Sequence, residues 1–154
     1  MARVVTATMG TGVWSRHSKR MRNVACRRYA EEFHNIAKKA GFPIIRAFLL
    51  GQATELYLKA FLFHKGFGET QMKRQFSHNL KRLLDEGINQ GLDKSVHISP
   101  QLGTDIEALN KVYASRALQY FSPIYLISSP TLPRLERLFR FADALKRHLA
   151  GLVK

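Results

Sequence analysis

The chain has 154 residues, 45% of them hydrophobic and 23% charged, which suits one domain with a buried core and excludes wholesale disorder or a fibrous repeat. Its 25 Lys and Arg against 11 Asp and Glu give a net charge of +14, a bias that concerns anionic partners and not the fold. The single cysteine, Cys26, excludes an intramolecular disulfide, and no Cys/His spacing suits zinc, so neither a metal nor another cofactor is expected.

Residues 1–13 contain β-branched residues and glycines without helical spacing, which predicts an extended N-terminal arm ahead of one helical domain, 14–154. Met1 to Val13 also lacks the charged start and apolar block of a secretory signal. From Trp14 onward Met21, Ala25, Tyr29, Phe33, Ile36 and Ala40 recur at steps of three, four or seven, an amphipathic stripe that Gly41 ends.

Pro43 suits a first helical turn, and Ile44 to His64 is so rich in Leu, Phe, Ala and Ile that most of its circumference must be covered. This is the expected central helix. Its apolar runs are broken by Gln52, Glu55 and Lys59, so it falls far short of the roughly 20 apolar residues of a membrane span. With no span and no signal, a cytoplasmic protein without a membrane partner is expected. Lys65-Gly66-Phe67-Gly68 stops the central helix, and Ser77 is the expected N-cap of a shorter one bearing Leu80, Leu83, Leu84 and Ile88, closed near Gly91.

Ser99-Pro100 is a cap and first-turn pair for a further helix with Leu102, Ile106, Leu109 and Tyr113 on one face. Residues 120–133 are β-branched, aromatic and bracketed by prolines, which predicts an extended loop. Leu135, Leu138, Phe139, Ala142, Leu145, Leu149 and Leu152 then restore helical spacing. The expected fold is all-α, an antiparallel bundle of four to five helices.

The central helix carries Glu55-Leu56-Tyr57-Leu58-Lys59-Ala60-Phe61-Leu62, followed by Gly66 and, after a loop, His78-Asn79-Leu80. Asn110, Tyr113 and Ala117-Leu118-Gln119-Tyr120-Phe121 come later. These segments resemble the HEPN family, with its E-x-x-L-K-A-x-L helix, its H-D/N-L helix start and its L-N-x-x-Y and L-R-Y segment. The likeness runs from about Phe42 to Phe121. The resemblance implies a four- or five-helix bundle, a homodimer, and a role in RNA cleavage, RNA binding or a toxin–antitoxin or defence pair with a nucleotidyltransferase partner.

From the residues alone, Glu55 and Lys59 lie four apart on one helix face and pair there, with His78 as a further hydrogen-bond partner. This forms a structural polar cluster of Glu55, Lys59 and His78. The family's ribonucleases use R-x(4–6)-H, an imidazole for proton transfer beside a guanidinium for phosphate. No histidine follows Arg116 at that spacing, Gln119 stands where the family often has arginine, and Arg140 to His148 is one residue too long. Arg27 and Arg28 do precede His34 correctly, but a chain with this many arginines and histidines yields roughly one or two such matches by chance. The polar side of that first helix is expected to face water. Cys26 lies between basic residues that could lower its pKa, yet a lone small thiol on a helix is ordinarily packing.

Residues 1–40 hold nine Lys and Arg against two acids, half of the whole excess. Arg16, Lys19, Arg20, Arg22, Arg27 and Arg28 form a basic run suited to phosphates, with Trp14 and Tyr29 able to stack on bases if exposed. The expectation is therefore a non-catalytic HEPN-like module that binds RNA or a protein partner. The alternative is a metal-independent endoribonuclease toxin using His78, Arg116 or His34.

Overall fold

A computed structural model of the chain describes residues 11–114 and 131–152. Every regular element among the described residues is helical: α1 (Thr11–Lys39), α2 (Pro43–His64), α3 (Glu69–Gln75), α4 (Leu80–Asn89), a 3-10 turn (Leu92–Lys94), α5 (Pro100–Ala114) and α6 (Leu135–Leu152). The all-α class expected from the sequence is thus present. Helix α1 begins at Thr11 and not at Trp14, while residues 1–10 of the expected arm and 120–130 of the expected loop lie outside the described residues. Residues 131–134 carry no helix.

Phe42 is extended at φ −88°, ψ 127°, as a residue before proline must be, and Pro43 opens α2. Helices α1, α4, α5 and α6 all pack on α2, which explains why its buried residues, among them Leu50, Tyr57, Leu58, Phe61 and Leu62, occupy several faces. Around them Leu80, Leu83 and Leu84 of α4, Ile106 and Leu109 of α5, and Leu138 and Leu145 of α6 are all at most 1% exposed. Each such side chain contributes about 1.5–3 kcal/mol by leaving water. Gly51 matters to this packing, since a Cβ there would lie 2.8 Å from Cδ2 of Tyr113.

The apolar stripe expected for α1 is corrected by its packing. Met21, Tyr29 and Ile36 are exposed, and the buried face is instead Asn23, Ala30, His34 and Ala37. His34 meets Tyr57 of α2, and the backbone carbonyl of Ala37 accepts a hydrogen bond from Nε of Arg46 at 3.3 Å. The small Ala30 and Ala37 side chains let α1 lie close to α2, whose own bulky residues fill the core. Large residues on that face would hold the helices apart.

The start of α4 also differs from expectation. Asn79, not Ser77, is its N-cap, accepting a 3.0 Å hydrogen bond from the backbone N–H of Arg82. Ser77 takes φ 45°, a left-handed turn between α3 and α4 that the sequence did not announce, as α3 itself was not expected. Ser99 caps α5 as expected, its Oγ accepting from the N–H of Leu102 at 3.2 Å.

Candidate functional site

Glu55 sits one helical turn before Lys59 on α2 and is 3% exposed, so its carboxylate needs partners on every side. Lys59 Nζ donates to Oε1. At Oε2 the Tyr113 hydroxyl of α5 donates at 2.6 Å, and Nδ1 of His78 lies 3.2 Å away. The structure therefore brings Glu55, Lys59 and His78 together, as the sequence suggests, and adds Tyr113. Tyr113 is legible in the sequence as a core residue and through the L-N-x-x-Y likeness, but its bond to Glu55 is not; its hydroxyl, which a buried tyrosine must satisfy, is the available signal. Burial, with the adjacent carboxylate, holds its phenol protonated far above the ordinary range. Asn110, one turn before Tyr113, accepts a 2.7 Å hydrogen bond from the N–H of Leu80 and so fixes the segment that carries His78.

Outward from Glu55, the half-exposed His78 lines a surface cavity of about 350 Å³ between α3 and α4, together with Arg74, Ser77, Asn79 and Arg82. Nη1 of Arg82 donates to the carbonyl of Gln75 at 3.4 Å. Among the described residues neither arginine has a carboxylate partner.

His34, expected on the water-facing side of α1, is 1% exposed. Its Nδ1 lies 3.3 Å from the Tyr57 hydroxyl, its Nε2 lies 3.5 Å from Oδ1 of Asp143, and its ring stacks on Phe139. Burial first, then the nearby Lys38, pushes its pKa down. It is a core histidine, because α6 closes over a face that helical periodicity alone assigns to solvent. Arg116 lies outside the described residues.

The basic run on α1 divides. Arg16 and Lys19 lie on the helix, with side chains outside the described residues. Arg22 pairs with Glu69 at 2.9 Å, and Arg27 is half-buried. Arg20 and Arg28 are exposed and border a groove of about 480 Å³ with Met21, Val24, Ala25 and Tyr29. Tyr29 is 63% exposed, so its ring is available to a ligand. Cys26 is half-buried, and its burial raises the thiol pKa, against the lowering its basic neighbours suggest.

No family model, curated protein or solved structure matches the chain. Among the described residues no helix is long and apolar enough to cross a membrane, and no group of three or more His, Cys, Asp or Glu could hold a metal ion.

Proposed function

We propose that the chain is a cytoplasmic, homodimeric HEPN-like bundle that binds single-stranded RNA through α1 without cleaving it. The observation that carries this reading is the exposed ring of Tyr29 in a groove bordered by the exposed Arg20 and Arg28. Guanidinium groups neutralise phosphates while an open aromatic face stacks on a base of any identity. The lack of an R-x(4–6)-H motif at Arg116 supports a binding role over a catalytic one.

The test is a salt titration of labelled single-stranded RNA. Affinity falls steeply with salt, and R20E/R28E weakens binding and flattens the slope. Affinity that ignores salt, or survives the double reversal, overturns the reading. A pull-down that recovers one stoichiometric protein and no RNA replaces RNA with a protein partner, the nucleotidyltransferase type being the one the HEPN resemblance implies.

The endoribonuclease reading is favoured by one specific observation, His78 held by the buried Glu55 beside two arginines that have no carboxylate partner among the described residues. An imidazole oriented by a carboxylate is suited to proton transfer. RNA cleavage in EDTA that disappears in a folded H78A variant establishes that reading; intact RNA rejects it.

A further inference from the structure

We propose that the cavity between α3 and α4 is a binding site for a phosphate group, held by Arg74 and Arg82 with His78 at its inner wall. This goes beyond the RNA-binding reading, which rests on α1, and stands without it.

Charge compensation is the first argument. On the same two helices the lysines are paired with carboxylates of their own helix, Lys73 with Glu69 at 2.9 Å, which Arg22 shares, and Lys81 with Asp85. Arg74 and Arg82 are exposed and have no carboxylate partner among the described residues, so their charge is available to an external anion. Two planar guanidinium groups present paired N–H donors that match the oxygens of phosphate, which a lysine does not.

Geometry is the second argument. Ser77, left-handed at φ 45°, lies in the turn between α3 and α4, and across that turn Arg74 and Arg82 line one cavity with His78. Glu55 occupies Nδ1 of His78, which fixes the ring and leaves Nε2 without a protein partner among the described residues; in the imidazolium form Nε2 donates to an anion. The N-terminus of α4 is a lesser contributor, since the N–H of Leu80 is taken by Asn110 and that of Arg82 by Asn79. The side chains therefore define the site.

The cavity's ligand chemistry, a phosphate oxygen cluster, is shared by free phosphate monoesters and by nucleic-acid ends. The test follows the arginine Nε–H and histidine ring signals of the ¹⁵N-labelled full chain during titration with inorganic phosphate at constant ionic strength. Saturable shifts are expected at Arg74, Arg82 and His78 but not at His64, and R74Q/R82Q weakens binding about tenfold or more. Shifts that do not saturate, or that are equal at His64, overturn the proposal on the unaltered protein; binding that survives in R74Q/R82Q overturns it as well. Competition is then run in an R20E/R28E background, which removes the α1 contribution. Stronger displacement of phosphate by a 5′-phosphorylated oligonucleotide than by its 5′-hydroxyl twin assigns the site to a nucleic-acid end. Displacement by neither, with saturable inorganic phosphate, assigns it to a free phosphate monoester.

Discussion

The hydroxyl of Tyr113 donates a 2.6 Å hydrogen bond to Oε2 of Glu55 across 58 positions of sequence. It ties α5 to the buried carboxylate of the central helix. A Y113F variant keeps the ring but deprives a charged acceptor of one donor, which costs about 1.5–3 kcal/mol. Urea unfolding should show a lower midpoint at unchanged slope; an unchanged midpoint would mean that His78 and Lys59 satisfy Glu55 unaided.

The same ring makes two glycine substitutions differ in sign. At Gly51 a Cβ would stand 2.8 Å from Cδ2 and 3.0 Å from Cε2 of Tyr113, and the hydroxyl bond keeps the ring from moving aside. G51A should destabilise by about 1–3 kcal/mol. A Cβ at Gly103, inside α5, meets nothing within 4 Å, so G103A should stabilise by about 0.5–1 kcal/mol through helix propensity. Thermal melts of the two variants moving in the same direction would contradict the packing described.

His34 makes stability depend on pH. Its folded pKa lies below the ordinary 6.5 because of burial and Lys38, an effect that Asp143 opposes. As pH falls below that ordinary value, the unfolded chain takes up a proton that the folded chain resists. Stability is therefore full above this point and is lost on acidification toward the lowered folded value. His148, lowered chiefly by burial, adds to the same slope. Denaturation across this range should show a shallower pH dependence in H34F than in the native chain, and equal slopes would place His34 in contact with solvent.

Tyr29 separates stacking from charge on α1. It is 63% exposed, so Y29A should leave the melting temperature nearly unchanged. RNA affinity should fall by about 1–3 kcal/mol, with the salt slope preserved because no cation is lost. A variant that binds as tightly as the native chain would reduce the interface to electrostatics.

The candidate cluster was half legible in the sequence. Glu55 and Lys59 are neighbours by helical geometry alone, and His78 stands at a recognisable helix start. Tyr113 reads as an apolar position and as part of the L-N-x-x-Y likeness, but its bond to Glu55 is not legible, because hydrogen bonding between α2 and α5 depends on how the helices approach. Arg74 and Arg82 carry no such signal: the cavity they share spans the turn between α3 and α4 where Ser77 is left-handed, a conformation that a serine does not advertise.

The helix ends and the central helix's enclosure are legible from local residues. Gly41 and Pro43 separate α1 from α2, Ser99-Pro100 opens α5, and the apolar richness of 44–64 marks a helix enclosed by others, because caps, breakers and composition act within a few residues. Which surfaces meet is settled by packing between helices. Helix α1 carries one face of large apolar residues, with Met21, Tyr29 and Ile36, and another of small ones, with Ala30 and Ala37. The bulk of α2 selected the small face, burying His34 and leaving Tyr29 in the open. A helix's own periodicity defines its faces, but which face is buried depends on the shape of its neighbour.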